Sequence, residues 1–174
     1  MPAIPINEHF FFTAFNVNPT MPDDAPREFT IYTDGACDPN PGTGGWAAIL
    51  IDQKTKVAEE ISGGVRDSTN NRMELQAVIE SLTRLPPGSV VTVVTDSEYV
   101  RNAFTQGWLK NWQKRGWKTA DRKPVKNQDL WQQLVTLTAA HQIHWQWVRG
   151  HGVDVLNNRC DELAVAARLA VVRT

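Results

Sequence analysis

The segment Val90–Thr95 consists only of valine and threonine. A run in which every residue is β-branched predicts a strand, and its lack of polar alternation indicates burial on both faces. The helical pattern before it ends at Pro86-Pro87-Gly88, and the Asp96-Ser97 pair after it is suited to cap a new helix. A strand buried on both faces requires helices above and below its sheet, so the chain is predicted to be an α/β protein.

The remaining elements are predicted from apolar periodicity. Alternating residues predict strands near 29–33, 46–51 and 57–61, with links short enough for antiparallel hairpins. A strand at 143–148 and helices between the later strands complete a five-stranded mixed sheet whose second strand is antiparallel, with helices on both faces. Helical spacing marks the first helix, the helix after Asn127 and the final helix: Leu75, Val78, Ile79, Leu82 and Leu85; Leu130, Leu134 and Leu137; Leu163, Ala167 and Ala170.

The length of 174 residues fits one domain. Residues 1–28 contain five prolines and four acids without usable periodicity, so we interpret them as an N-terminal tail before a domain of residues 29–174. The longest apolar run, residues 46–51, is far shorter than the ~20 residues of a membrane span. The two cysteines, Cys37 and Cys160, cannot form a disulfide framework, and we expect a soluble cytoplasmic protein with no membrane partner.

The net charge of −1 conceals a strongly basic stretch at residues 101–126, here called the basic segment. It carries eight Lys and Arg against one acid and leaves the rest of the chain at −8. Three tryptophans are interleaved with these cations: Trp108, Trp112 and Trp117. Exposed indoles beside cations suit the sugars and phosphates of a nucleic acid, whereas a solvated amphipathic helix is the alternative. The segment predicts a nucleic-acid-binding protrusion.

Four acids stand where strands end or helices begin. Asp34 ends the first strand, Asp96 follows the fourth, and Glu74 and Asp161 lie in the predicted first turns of helices. A helix cap would explain each acid singly, because acids at helix N-termini are stabilising. Adjacent strands would bring Asp34 and Asp96 together, however, and gathered carboxylates repel one another unless cations neutralise them. Such oxygen ligands suit Mg²⁺ or Mn²⁺, and two such ions can activate water against a phosphodiester.

Six strings follow one another along the chain: Tyr32-Thr-Asp-Gly-Ala-Cys37, Thr69-Asn-Asn-Arg-Met-Glu-Leu75, Thr95-Asp-Ser-Glu-Tyr-Val100, Lys114-Arg-Gly-Trp-Lys-Thr-Ala-Asp121, Pro124-Val-Lys-Asn127, and Gly150-His151 with Arg159-Cys-Asp-Glu-Leu163. Together they closely resemble the bacterial ribonuclease HI family, the type 1 ribonucleases H. The match runs from about Phe29 to the final helix in unbroken order, which makes chance similarity very improbable.

This resemblance implies a ribonuclease H-like fold and an endonuclease that hydrolyses the RNA strand of RNA·DNA hybrids. It implies two Mg²⁺ ions in the active site, with Mn²⁺ as a substitute, held by the four acids that match the family motif: Asp34, Glu74, Asp96 and Asp161. Products of this family carry a 5′-phosphate and a 3′-hydroxyl. His151 matches a loop histidine that assists proton transfer and product release, and its near-neutral pKa suits that role.

The resemblance also implies a set of nucleic-acid contacts. The basic segment matches a protrusion that holds the DNA strand, although one extra residue precedes Trp108 in this chain. Glu98 stands where the family often has glutamine, so one RNA contact departs from the pattern, since a carboxylate only accepts hydrogen bonds. The predicted contact residues are Cys37, Asn40, Thr69, Asn70, Asn71, Glu98, Trp108, Trp112, Lys114, Arg115, Trp117, Lys118 and Asn127.

Two other functions stay open at this point. A binding module that has lost catalysis would keep the basic groove, but it has no reason to retain four acids together with His151. A DNA-cutting nuclease of the same wider fold is disfavoured by the small size and by the Trp-rich basic segment. We expect a monomer, while the oligomeric state and any protein partner are left open. Both cysteines are interpreted as small buried thiols rather than nucleophiles.

Overall fold

The computed structural model describes residues 25–150 and 152–173. Its elements are β1 Glu28–Cys37, β2 Gly42–Asp52, β3 Ala58–Ser68, α1 Asn70–Arg84, β4 Val90–Thr95, α2 Glu98–Thr105, α3 Trp108–Lys114, α4 Gln128–Ala139, β5 Gln142–Trp147 and α5 Val155–Val172. The strands form one sheet in the order β3-β2-β1-β4-β5. β2 is antiparallel to β1 and β3, whereas β4 and β5 run parallel to β1. The predicted mixed sheet is confirmed.

Helices cover both faces of this sheet. On one face, α1 and α4 enclose a core that joins Leu75, Val78 and Leu82 to Val91 and Val93 of β4. On the other face, α5 covers β1, β2 and β3, where Cys160 packs beside Ile49 and Ala58. β4 has the predicted bounds; Val91, Val93 and Thr95 are buried on one face, and on the other Val94 is buried while Val90 and Thr92 are half-buried.

The first three strands are longer than their apolar runs predict. β1 continues to Cys37 and β2 begins at Gly42, so the predicted glycine- and proline-rich turn at 39–45 shrinks to residues 38–41. The glycines of β2 belong to the ladder, since Gly45 pairs with both Ala36 and Gly64. Periodicity missed them because glycine has no side chain that registers as apolar.

Ser97 caps α2, as the Asp96-Ser97 pair predicts, by accepting from Val100 N. Helices α1 and α5 start earlier than predicted: Thr69 caps α1 by accepting from Arg72 N, and Asp154 caps α5 by accepting from Leu156 N and Asn157 N. Glu74 and Asp161 therefore lie in second turns rather than first turns. Capping, the alternative explanation for Glu74, Asp96 and Asp161, is excluded because other residues do that work.

The domain begins before Phe29. Glu28 pairs with Val90 in the sheet, and Arg27 makes an ion pair with the buried Asp52 while its guanidinium lies 5.1 Å from the Phe29 ring. The boundary at residue 28 is therefore set two residues too late. Most of the predicted tail, residues 1–24, lies outside the described residues. No helix in the described part of the chain is both long and apolar enough to cross a membrane.

Candidate active site

An open pocket of about 540 Å³ is lined by all four predicted acids: Asp34, Glu74, Asp96 and Asp161. They come from β1, α1, the end of β4 and α5. These residues are spread over more than 120 positions of the sequence, and the fold brings them to one place. The pocket therefore unites the carboxylates that the family motif assigns to the metal site.

Parallel pairing places the first two acids side by side. The β1–β4 ladder ends at the pair Tyr32 and Val94, and Asp34 and Asp96 each follow two residues later. Side chains alternate along a strand, so Asp34 shares the sheet face of Tyr32, whose carbonyl accepts a hydrogen bond from Cys160 Sγ at 3.3 Å. Cys160 belongs to α5, so Asp34 faces the helix that carries Asp161.

Gly35 brings the third acid in from the opposite face. A Cβ atom at Gly35 would collide with the backbone nitrogen of Glu74 and lie 2.5 Å from the carbonyl carbon of Met73. Only a residue without a side chain allows α1 to approach β1 this closely. The Asp-Gly pair of the first string therefore both supplies a carboxylate and admits Glu74 beside it.

Neighbouring polar groups hold the carboxylates in place. Ser97 Oγ donates to Glu74 Oε2 at 2.5 Å, and Asn70 Nδ2 donates to Glu74 Oε1 at 3.3 Å. Asp34 accepts from the backbone N–H of Gly35 at 2.7 Å. Asn157 Nδ2 lies 3.5 Å from Asp96 Oδ2, a long contact from a fully buried side chain. Ser97 and Asn157 therefore reach Glu74 and Asp96 from other elements, whereas Asn70 and Gly35 act within α1 and β1.

Burial and mutual repulsion shift two of these carboxyl groups. Burial, together with the charge of Asp96, raises the pKa of Asp34 to about 8. Burial also raises the pKa of Glu74 to about 7, against the lowering effect of the Ser97 hydrogen bond. Each carboxyl group resists ionisation because it is withdrawn from water and because the charge of Asp96 lies nearby. A cation in the pocket would reverse this by favouring the charged forms.

The donor set fits a hard divalent cation. All four acids offer carboxylate oxygens, which suit Mg²⁺ or Mn²⁺. Among the described residues, no three His, Cys, Asp or Glu side chains form a ready-made metal cage. Magnesium does not need one, since it usually keeps several waters and takes one or two carboxylates plus substrate phosphate oxygens. An open, carboxylate-lined pocket therefore matches this ion.

His151, the predicted proton-transfer residue, lies outside the described residues. Its neighbour Gly150 is described and lies against the pocket. A Cβ atom at Gly150 would stand 2.6 Å from Asp96 Oδ2, so the loop reaches this carboxylate immediately before position 151. The role of His151 stays a prediction.

Four of the thirteen predicted nucleic-acid contact residues line the same pocket, and a fifth, Asn40, is hydrogen-bonded to one of them. The pocket lining includes Cys37, Asn70, Asn71 and Glu98. Asn40 Oδ1 accepts a hydrogen bond from Asn70 N at 3.1 Å, and Asn70 in turn donates to Glu74. These side chains form a polar rim that is bonded directly to the carboxylate site.

Thr69 and Asn127 have structural partners as well. Thr69 caps α1, and its hydroxyl is engaged by Arg72 N. Asn127 donates to Tyr99 Oη at 3.1 Å and accepts from Arg72 at 3.3 Å, although its side chain does not cap α4 as expected. Arg72 also forms a bidentate pair with Asp129, which joins the start of α1 to the start of α4.

The three tryptophans of the basic segment are not freely exposed, so the prediction of exposed indoles is wrong. Trp108, Trp112 and Trp117 are half-buried and pack on the core. The ring of Trp112 lies 6.0 Å from Trp108, 6.5 Å from Trp117 and 5.7 Å from the fully buried Trp131. Aromatic packing of this kind anchors the segment to the domain.

The cations of the basic segment do face solvent. Seven of its eight basic residues are exposed, and the eighth, Arg101, is half-buried: the exposed ones are Lys110, Lys114, Arg115, Lys118, Arg122, Lys123 and Lys126. The indoles provide the attachment and the cations provide the charged surface. The predicted phosphate-binding role of Lys114, Arg115 and Lys118 is compatible with their positions.

Sequence reasoning missed four residues that support the site, Ser97, Tyr99, Asn157 and Arg168, and gave Asn70 a different role. Ser97 and Asn70 hold Glu74, Asn157 approaches Asp96, and Tyr99 and Arg168 line the pocket. Asn70 was proposed only as a nucleic-acid contact. Ser97 carried a signal, since it follows Asp96 at a helix start, but Asn157 and Arg168 lie in an ordinary-looking helix. Only the packing of α5 on the sheet reveals them.

Known proteins share this sequence and this fold. The RNase H family model matches residues 26–168. Ribonuclease HI of Pseudomonas aeruginosa is 55% identical over 139 residues, which cover 79% of this chain and 91% of that protein. Ribonuclease H of Nitratidesulfovibrio vulgaris is 53% identical over 139 residues, which cover 80% of this chain and 88% of that protein.

Solved structures agree. LC9-RNase H1, described as a type 1 RNase H with the type 2 active-site motif, superposes with a TM-score of 0.74 at 28% identity, covering 84% of this chain and 74% of that one. LC11-RNase H1 in complex with RNA/DNA hybrid shares the fold, with a TM-score of 0.60 at 22% identity and coverage of 84% and 99%. The fold and the carboxylate-lined pocket define a nuclease class. The chain belongs to the RNase H family, and it is a ribonuclease H enzyme.

Proposed function

We propose that the protein cleaves the RNA strand of RNA·DNA hybrids with two divalent metal ions, leaving a 5′-phosphate and a 3′-hydroxyl. The observation that carries this proposal is the convergence of Asp34, Glu74, Asp96 and Asp161 on one open pocket. None of the four acids is the N-cap of a helix, and burial raises the pKa of two of them, Asp34 and Glu74, a shift that a bound cation would oppose. Family membership supplies the substrate class.

The four carboxylates are the residues that would hold the ions. When bound, two such ions supply activation of the attacking water and stabilisation of the leaving oxygen of a phosphodiester. The chain itself contributes orientation: Ser97 and Asn70 fix both oxygens of Glu74, and Asn157 approaches Asp96. His151 is proposed to move a proton near Asp96, where the preceding Gly150 lies.

The nucleic acid is proposed to lie across the pocket and the basic segment. The exposed cations Lys114, Arg115 and Lys118 would contact backbone phosphates. The pocket rim would approach the RNA strand, where Asn70 and Asn71 present amides that can recognise a 2′-hydroxyl. Glu98 offers only an acceptor at this rim, so it would engage a hydroxyl donor on the substrate.

A binding module without catalysis is less well supported. Such a module would gain nothing from burying Asp34 and Glu74 against their own charge, which costs stability in the absence of a cation. A monomer in the cytoplasm stays a prediction, as does the use of Mg²⁺ rather than Mn²⁺.

The test is a panel of end-labelled duplexes of one sequence: RNA·DNA, RNA·RNA and DNA·DNA. Each is incubated with Mg²⁺, Mn²⁺ or EDTA, and the product ends are identified by susceptibility to phosphatase and by ligation. We expect cleavage of the RNA strand of the hybrid only, dependent on a divalent ion, with ligatable 5′-phosphate ends. Cleavage of DNA·DNA would favour the DNA nuclease instead, and tight hybrid binding without cleavage would favour the binding module.

A further inference from the structure

Arg168 is the one lysine or arginine side chain among the described residues that line the carboxylate pocket. The other charged lining residues are all acids: Asp34, Asp38, Glu74, Asp96, Glu98 and Asp161. A phosphodiester that enters this pocket meets six carboxylates and a single fixed cation. Among the described lining residues, Arg168 is therefore the one positively charged side chain that a phosphate can meet.

The guanidinium of Arg168 forms few hydrogen bonds for a side chain that is mostly buried. Nη1 donates to the backbone carbonyl of Asp38 at 3.1 Å and lies 3.4 Å from Asp38 Oδ2. Nε is buried and has no partner among the described residues. The side chain is only 15% exposed, so its remaining donors are largely withdrawn from water. An arginine has five N–H donors in a planar fork, and the hydrogen bonds to Asp38 use only those of Nη1.

The ion pair that holds Arg168 is weak enough to exchange. Asp38 is 78% exposed, and an ion pair with a solvated partner at 3.4 Å contributes little to stability. A phosphate oxygen pair matches the guanidinium fork better than this single long contact, because it accepts two parallel hydrogen bonds.

The backbone beneath Arg168 is rigidly placed. A Cβ atom at Gly45 of β2 would collide with the carbonyl oxygen of Ala164 and lie 2.6 Å from the nitrogen of Arg168, so α5 rests directly on the sheet. Arg168 follows Asp161 by seven residues, two helical turns, and therefore shares its face of α5. The helix that presents an acidic ligand also presents this cation to the same pocket.

We propose that Arg168 is a substrate-contact residue that releases Asp38 and donates to a backbone phosphate of the bound duplex beside the carboxylates. The proposal rests on the proposed function, since the ligand is the backbone of that substrate. No covalent bond is made or broken in this exchange. The guanidinium exchanges its hydrogen bond to Asp38 for hydrogen bonds to nonbridging phosphate oxygens.

The test measures binding rather than cleavage. The affinity of wild type, Arg168→Ala, Arg168→Gln and Arg168→Lys for a fluorescent RNA·DNA hybrid is followed by anisotropy in EDTA across a range of NaCl concentrations. Loss of one phosphate contact should weaken binding about tenfold and flatten the plot of log K against log salt by about 0.9. Arg168→Lys should recover the salt slope but not the full affinity, because ammonium lacks the planar fork.

Two matched controls separate a contact from mere charge or support. Arg173→Ala removes the same charge from the exposed end of α5 and should leave the salt slope unchanged. Asp38→Asn frees Arg168 from its ion pair and should preserve or strengthen binding. Arg168→Gln keeps much of the packed stem if the alanine variant fails to fold.

The proposal is overturned if Arg168→Gln has the wild-type salt slope, or if Asp38→Asn weakens binding as much as Arg168→Gln does. Either result would make Arg168 a support for the 38–41 loop only. The duplex panel reports separately on the proposed function: a wild-type protein that fails to cleave the hybrid contradicts that function, whatever the binding of the Arg168 variants shows.

Discussion

Gly35 lies directly against the backbone nitrogen of Glu74, so the residue that follows the first carboxylate determines how close the second can come. The contact joins β1 to α1 at the pocket, and any side chain at position 35 must push α1 outward. The site therefore depends on a missing side chain as well as on four acidic ones.

Gly35→Ala is expected to reduce kcat by more than its loss of folding stability explains. Displacement of Glu74 should reduce kcat at least a hundredfold, since a misplacement of about 1 Å can cost that much, with a stability loss of about 2 kcal/mol. Gly64→Ala is the matched control, because its Cβ would collide with Val171 and Ala167 far from the acids. It should lower Tm while leaving kcat of the folded protein near wild type. Equal kcat values for the two variants would contradict the assignment.

Asp34→Asn is expected to stabilise the metal-free protein in a pH-dependent way. The carboxyl group of Asp34 has a pKa of about 8 in the folded protein, whereas in the unfolded chain it loses its proton near the ordinary pKa of an aspartate. The free energy of unfolding therefore falls as the pH rises from the ordinary pKa to the folded one. The variant should be more stable by on the order of 2 kcal/mol near pH 8 and by clearly less near pH 5. Thermal denaturation in EDTA measures the difference.

The control for this prediction is Asp121→Asn, which removes an exposed carboxylate of the basic segment. It should give no such pH-dependent gain. A constant advantage of Asp34→Asn at both pH values would mean that charge repulsion in the pocket is not its source.

Variants of the tryptophans and variants of the cations in the basic segment should have different effects, the first on stability and the second on hybrid binding. Trp112→Ala removes an indole packed on Trp131, so it should cost about 2 kcal/mol of stability without changing the salt slope of hybrid binding. The triple variant Lys114→Ala, Arg115→Ala and Lys118→Ala should keep Tm, raise KM and flatten the salt slope by about three times 0.9. Denaturation curves and KM against NaCl make the comparison; a normal slope in the triple variant would contradict the phosphate role.

Arg27 should contribute to stability although the sequence assigns it to a tail. Burial raises the pKa of Asp52, but hydrogen bonds from Arg27 and from two backbone N–H groups outweigh it, and the pKa lies below its ordinary value. Arg27→Ala should cost about 2 kcal/mol near neutral pH, since it leaves the buried carboxylate of Asp52 without its cation. Because that pKa is depressed, the loss should shrink as pH falls below about 4.

Adding Asp52→Asn to Arg27→Ala should restore part of that stability, because the amide oxygen still accepts from Lys54 N and Thr55 N without burying a charge. Chemical denaturation of the two single variants and the double variant tests this pairing. No recovery in the double variant would show that packing of Arg27 on Phe29, rather than the ion pair, is what matters.

Local patterns predicted the fold where local chemistry decides it. The β-branched run of β4 and the spaced leucines of α1 gave correct elements, because burial on a sheet or helix face imposes those periods. The glycines of β2 and the caps of α1, α2 and α5 depend on which chain segments meet. Gly45 is a strand residue because it pairs with Ala36 and Gly64, and it has no side chain because α5 lies against it; no period in the sequence records these contacts.

The features of the site likewise fall into those that the sequence predicted and those that depend on contacts between distant segments. The four acids were predicted because each stands in a string that the family shares, and the structure places them together. The Glu74–Ser97 hydrogen bond, the burial of Trp112 and the Arg168–Asp38 pair are contacts between distant segments. For the tryptophans, charge interleaving indicated exposure, but packing on Trp131 decided otherwise.

The most direct test of the account compares binding and cleavage by Asp96→Asn on one labelled hybrid. Asp96 lies in the carboxylate pocket and not among the exposed cations, so hybrid affinity in EDTA should stay within about threefold of wild type or improve. Single-turnover cleavage in Mg²⁺ should fall by at least about a thousandfold, because the variant loses an oxygen ligand of the ions. Cleavage near the wild-type rate would contradict the assignment of this pocket as the catalytic centre.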